Sequence, residues 1–215
     1  FSTGINIGGV AGPLVCGLVA QTWGWHAGFG LAGVMMLVSA IIYLAGLDHF
    51  AKETPTAALA QVAPLTGPEI KMLAMIVFVL VLSTVPFVAF DQSFNAGMIW
   101  IAAKVDLATP FGPMPVAWAN SIIFLTSIVT APLLIWIWKR REAGGRSADD
   151  MVRIASGASL FVLASLVLAW GDWSWTQGGV PVVVPLFAFV LMGTGFITAW
   201  PTMLALVSRR APIGS

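Results

Sequence analysis

Charge is what this 215-residue chain has least of: only 9% of its residues are Asp, Glu, Lys or Arg, against about 25% in a water-soluble domain. With 59% hydrophobic residues and a mean hydropathy of +0.94, a surface of this composition could not be solvated. A soluble globular domain is excluded, and the lipid bilayer becomes the solvent in which the fold is read. Cysteine is almost absent. The single Cys16 excludes an internal disulfide and, lacking metal-ligand neighbours, reads as a small packing residue. No basic run interleaved with aromatics suggests nucleic acid as a partner. The two histidines, His26 and His49, have no carboxylates at metal spacing. His26 opens a span at the membrane surface, where a structural role is the plainer reading, and His49 lies in a loop. No Ser-His-Asp or Gly-x-Ser-x-Gly arrangement points to a hydrolase, so no enzyme, no metal and no organic cofactor is expected. The chain opens at Phe1 inside a helical pattern, without a signal-peptide signature, and closes on "RRAPIGS"; the expectation is an internal piece of a longer chain.

What the sequence has instead is long apolar runs. A helix needs about 20 mainly apolar residues to cross a hydrocarbon core of about 30 Å. Six segments qualify, at 1–20, 27–47, 70–103, 116–138, 151–170 and 180–207, so the fold class expected is all-α, a polytopic membrane helical bundle. The third and sixth exceed one bilayer thickness and are expected to tilt, bend or project. Pro86, Pro132 and Pro201 fall inside spans and invite kinks. In the first span, Gly4 and Gly8, then Gly8 and Gly12, stand at the small-xxx-small spacing that lets helices approach closely.

The few charges are placed asymmetrically. Lys52, Lys71, Lys139, Arg140, Arg141, Arg146, Arg153, Arg209 and Arg210 fall in the linkers near 48–71, 139–153 and 208–210, whereas the opposite linkers hold only Lys104. By the positive-inside rule the first set is cytoplasmic, including the linker 48–69, the loop 139–150 and the C-terminal end. "KRREAGGR" reads as an orientation signal rather than a lipid or nucleic-acid site. Trp23, Trp25, Trp170, Trp173 and Trp175 then form an outer aromatic belt, with Trp136 and Trp138 on the inner side. The proline- and threonine-containing linker "DHFAKETPTAALAQVAPLTGPE" is the longest break and reads as the joint between two bundles. Its "TGPE" has the form of a capping box, which would start the third span near Gly67.

Between Met72 and Ala103 the only formal charge is Asp91, in "PFVAFDQSFNAG". An unpaired Asp at the bilayer centre costs about 2.5–3.5 kcal/mol on insertion scales. It must therefore face a polar interior, a cation or water. Gln92, Ser93 and Asn95 follow it, and helical spacing puts Asn95 on the same face as Asp91, which reads as cavity lining in the outer half of the membrane. An interfacial acid at a helix end is the alternative. Asn6, between glycines on the first span, is either an interhelical hydrogen bonder or a ligand contact. Asn120 and Ser121 stand near the outer end of the fourth span, where hydration also explains them.

Five segments, in order, resemble the proton-dependent oligopeptide transporters of the major facilitator superfamily. "FSTGINIGG" resembles that family's F-Y-x-x-I-N-x-G signature, and "PLVCGLVAQTWGWHAGFGLAGVMML" continues as the family does after it. "FVAFDQSFNAGMIWIAAKVD" is similar to the F-E-Q helix, "ANSIIFLTSIVTAPLL" to the Q-x-x-N-P…P segment, and "GTGFITAWPTMLALVSRRAP" to the G-E-L-x-x-S-P…AP segment. The resemblance implies a major facilitator bundle with six of an expected twelve or more helices present, namely helices five to ten. Residues 1–47 would be the last two helices of the N-terminal half, 48–69 the cytoplasmic linker between halves, and 70–215 the first four helices of the C-terminal half.

The same resemblance implies function. The expected activity is proton-coupled symport of di- and tripeptides across the inner membrane by alternating access. Protons would be the coupling ion. The partners would be a small-molecule substrate (a peptide or related solute), the lipid bilayer and the remaining helices of the parent chain. Asn6 matches the family's binding-site Asn, and Asp91 the carboxylate implicated in gating and proton linkage. Gln92, Asn95, Asn120, Phe196 and Trp200 complete the candidate substrate or proton-coupling residues. The departures are Ser2 for the signature Tyr, Ile123 for the Asn of Q-x-x-N-P, Phe124 for its Pro, and Phe196 for the tenth-helix Glu. The last removes an anionic anchor for a peptide's amino terminus. A same-fold transporter of a non-peptide solute, or a non-transporting divergent membrane protein, are therefore the alternatives.

Overall fold

The computed structural model describes residues 2–47, 66–110, 112–145, 149–176 and 179–210. These form the helices α1 (Ser2–Trp23), α2 (Trp25–Ala45), α3 (Gly67–Phe94), α4 (Ala96–Lys104), α5 (Trp118–Ala143), α6 (Asp150–Ser174) and α7 (Val183–Arg210). Among the described residues, 6 helices are long and apolar enough to cross a membrane: all but α4. The chain is an all-α, multi-pass membrane bundle. Most of the long linker lies outside the described residues, as do His49 and Arg146, so the expected joint and the loop charges there are not placed. Gly67 does open α3, as the capping pattern predicts.

The third apolar run is not one helix. It breaks at Asn95, whose φ of −114° and ψ of −89° leave helical space. The Asn95 side chain turns back, donating from Nδ2 to the Asp91 carbonyl at 3.3 Å. An amide side chain that competes for a backbone carbonyl is a physical reason for a helix to end there. The apolar runs before Asp91 and after Asn95 hid the break, and with it falls the expectation that Asp91 and Asn95 share one uninterrupted helix face. The sixth span likewise begins later than expected, because Val180 and Pro181 form strand β4 rather than helix.

Four two-residue strands lie at the end of the bundle opposite Arg140. β1 (Val105–Asp106) pairs in parallel with β4 (Val180–Pro181), and β2 (Ala108–Thr109) pairs antiparallel with β3 (Gly112–Pro113). The Trp100 indole N–H donates to Asp172 Oδ1 at 2.8 Å, and Lys104 lies 3.7 Å from the same oxygen. Together these tie α4 to the end of α6.

Helices in lipid gain little from the hydrophobic effect, so close packing depends on small residues. Gly157 of α6 and Gly195 of α7 meet backbone to backbone: a Cβ on Gly157 would stand 2.7 Å from the Gly195 carbonyl oxygen. Gly193 of α7 lies against the Ile123 carbonyl and 2.9 Å, from where its Cβ would be, from Thr126 Cβ. Ser127, fully buried, holds its Oγ 3.0 Å from the Ile123 carbonyl and 3.1 Å from that of Gly193. Its one proton is thus shared between α5 and α7. The core of Ile123, Phe161, Ala188, Phe189 and Met192 forms around these contacts, whereas α2 buries only Gly28 and turns Met35, Met36, Ile41 and Ile42 outward.

The small-xxx-small glycines of α1 do not make its packing face. A Cβ on Gly4, Gly8 or Gly12 would meet nothing within 4 Å. The contact is made instead at Gly9, against the ring of Phe124, and at Gly17, where a Cβ would stand 3.0 Å from Ala117 Cβ. One residue is about 100° of helix rotation, enough to move a glycine from an interface to a free face.

Candidate functional site

Three phenylalanines of α3 recur at helical spacing. Phe87, Phe90 and Phe94 span about 60° of its circumference, so they form one aromatic face. That face meets α7. Phe90 stacks on Phe196, with centroids 4.9 Å apart and planes 13° from parallel, and Phe196 stacks on Trp200 at 6.1 Å and 10°. Phe87 approaches edge-on, 6.3 Å from Phe196 and 5.3 Å from Trp200. Phe161 of α6 backs both Phe87 and Phe90, at 5.8 and 5.7 Å. In the other direction Phe90 contacts Phe94 at 5.2 Å, and Phe94 contacts Phe124 of α5 at 5.9 Å. Phe124 lies under Gly9 of α1. A continuous ribbon of rings therefore crosses from Trp200 on α7, through α3 and α5, to α1. Each ring pair contributes about 0.5–1.5 kcal/mol beyond its area burial.

The polar candidates sit along this ribbon. Asn6, 8% exposed, is on the face of α1 that carries Gly9, one turn away. Asn120 is one turn before Phe124 on α5, and its Oδ1 is buried without a hydrogen-bond partner among the described residues. Such an orphan acceptor costs about 1–3 kcal/mol. It is the strongest polar signal in the site, because a donor brought by a ligand would recover that energy. On the next residue, the Ser121 hydroxyl donates to the Val10 carbonyl at 3.0 Å, and the Trp118 indole donates to the Leu14 carbonyl at 3.1 Å. Those two bonds hold α5 against α1, so Ser121 is structural, whereas the Asn120 Oδ1 finds no partner among the described residues.

Asp91 stands about 40° around α3 from Phe87, at the edge of the aromatic face. It is exposed, and no cation pairs with it among the described residues. Asn95, also exposed, is tied to it through the Asp91 carbonyl. Gln92 is exposed on the side of α3 away from Phe90, and so stands apart from the ribbon. Phe196 lies inside the ring stack, while Trp200 ends it with 38% of its surface exposed. Among the described residues, no three His, Cys, Asp or Glu side chains converge as a metal site would need. Sequence reading singled out Asp91 by its charge, named Phe124 only as a departure from the resembling family, and passed over Phe87 and Phe90. Their signal was the i, i+3, i+7 recurrence of Phe on α3, which in an apolar run looks like ordinary core.

Comparison with known proteins follows the same lines. The family described as Major Facilitator Superfamily matches residues 1–215. The chain is 22% identical over 270 residues to "Uncharacterized transporter YclF" of Bacillus subtilis (strain 168), covering 99% of this chain and 54% of that protein. A stretch of 43 residues, 20% of this chain and 8% of the relative, is 46% identical to "Peptide transporter YePEPT" of Yersinia enterocolitica. Among solved structures, a mutant of peptide transporter POT in complex with alafosfalin matches with a TM-score of 0.77 at 20% identity, over 98% of this chain and 54% of that one. Peptide transporter POT in complex with sulfate matches at 0.72 and 20%. The chain spans about half the length of YclF and of the POT structures, and at such identity the structural likeness is one of fold.

Proposed function

Because the chain belongs to the Major Facilitator Superfamily, we propose that it is part of a secondary transporter that moves a peptide or related small solute together with protons. In this reading α1 and α2 end one half of the transporter, residues 48–69 join the halves, and α3 to α7 begin the other. The basic ends of α5 and α6 face the cytoplasm, across an inner membrane. The halves rock about a central site, and Asp91 carries the coupling proton between two environments. The observation that carries the proposal is the ribbon between α1 and α7, flanked by a carboxylate and by an amide oxygen with no hydrogen-bond partner among the described residues. Aromatic walls with a few convergent polar groups are the usual make-up of a small-molecule site.

A second reading has its own support. Phe196 stacks between Phe90 and Trp200 where the family resemblance expects an acid. A site without that acid suits a solute that has no α-amino group to anchor. Uptake of labelled dialanine by liposomes containing the whole transporter, with and without an inward proton gradient, separates the two. Gradient-driven uptake supports peptide symport. No uptake by protein shown to be folded favours the non-peptide solute.

A further inference from the structure

The inner end of α5 carries a feature that orientation alone does not require. Trp136, Ile137, Arg140, Arg141 and Gly144 line a groove of about 410 Å³. The Arg140 guanidinium lies 5.0 Å over the Trp136 ring, a cation–π contact that holds it at the groove. The neighbouring acid is already engaged: Glu142 pairs with Arg153 at 3.1 Å. Among the described residues neither Arg140 nor Arg141 has a carboxylate partner. Two guanidinium groups thus line one groove with their charge uncompensated.

The surface leading to the groove is apolar. Leu125, Val129, Leu133 and Trp136 are all exposed and recur at i, i+4, i+8 and i+11, the spacing of a single helix face that continues to Arg140. That face is nearly opposite the one bearing Asn120 and Phe124, so it is turned away from the candidate site. From Leu125 to Arg140 the helix rises about 22 Å, enough to line one leaflet of a hydrocarbon core about 30 Å thick.

We propose that this groove binds the phosphodiester of an anionic phospholipid, with its acyl chain along the Leu125–Leu133 face. Guanidinium groups match phosphate oxygens in charge and in paired hydrogen-bond geometry. The indole of Trp136 belongs at the level of the headgroups. A zwitterionic lipid brings an ammonium group toward Lys139, Arg140 and Arg141, which disfavours it.

Native mass spectrometry of the detergent-solubilised protein, offered equal amounts of phosphatidylglycerol and phosphatidylcholine with the same chains, tests the site. Phosphatidylglycerol is expected to be retained preferentially, and Arg140→Gln with Arg141→Gln to reduce that retention roughly tenfold or more. Lys71→Gln with Lys104→Gln removes the same charge outside the groove and is expected to leave retention unchanged. Equal loss in both double variants, or equal retention of the two lipids by the unaltered protein, overturns the proposal. Excess inorganic phosphate is expected not to displace the lipid. Full displacement would make the groove a site for a soluble anion instead, and would equally overturn it.

Discussion

Phe196 lies sandwiched between Phe90, 4.9 Å away, and Trp200, 6.1 Å away, all three rings within 13° of parallel to their neighbours. Two of those rings belong to α7 and one to α3, which Phe161 of α6 and Phe124 of α5 also hold. The stack is therefore one of the means by which the helix bearing Asp91 is held in place.

Replacing Phe196 by Leu removes both stacking partners at once. The expected loss is about 1.5–4.5 kcal/mol of stability, from three ring pairs, the edge contact of Phe87 included, at about 0.5–1.5 kcal/mol each, seen as a lower thermal midpoint in detergent. Phe196→Glu, which restores the acid of the resembling family, is expected to cost more, because it drives a carboxylate between two rings. A Glu variant as stable as the parent would mean that the stack does not hold α3.

The Asn120 amide oxygen has the opposite signature. Removing a buried acceptor that has no partner relieves a penalty, so Asn120→Leu is expected to leave stability unchanged or raise it by about 1 kcal/mol. The same change is expected to abolish ligand-induced thermal stabilisation of the whole transporter. A destabilised variant, or one that still responds fully to ligand, would assign the residue to packing.

Two aspartates in neighbouring spans separate coupling from folding. Asp172 accepts from Trp100 and lies near Lys104, so Asp172→Asn is expected to cost about 1 kcal/mol, the modest value of a half-exposed charged contact. Asp91 has no such partner among the described residues, and Asp91→Asn is expected to unfold normally while abolishing or uncoupling proton-driven uptake. Wild-type gradient dependence in Asp91→Asn would remove that residue from the mechanism.

Glycine position gives a fourth contrast. Gly193→Ala forces a methyl group against the Ile123 carbonyl and Thr126 Cβ, and overpacking of this kind costs about 1–3 kcal/mol. Gly12→Ala meets open space within 4 Å and is expected to be neutral or slightly stabilising through helix propensity. Thermal unfolding of the two single variants, side by side, checks the order.

The spans themselves were plain in the sequence, because hydropathy reports the solvent and a bilayer demands long apolar runs. The break at Asn95 was not: the polar residues Asp91 to Asn95 read equally well as cavity lining on a continuous helix, and only the backbone angles and the amide's bond to the Asp91 carbonyl reveal it. The packing glycines are Gly9 and Gly17 rather than Gly4, Gly8 and Gly12, since spacing reveals a stripe but not the side of the helix on which a neighbour lies. Asp91 was legible as an anomaly of charge. The aromatic ribbon was not, because Phe is common in spans and only the fold shows which rings touch. Strands of two residues carry no periodicity from which to be read at all.

Those short strands bear on how the molecule resists force. Val105 and Val180, and Asp106 and Pro181, are paired across the ends of a segment that contains all of α5 and α6. The segment is thus a loop closed by a non-covalent clasp, reinforced nearby by the grip of Trp100 and Lys104 on Asp172. A pull on α3 or α7 loads the clasp before it loads either enclosed helix. The two helices are shielded from a pull along the chain until it parts.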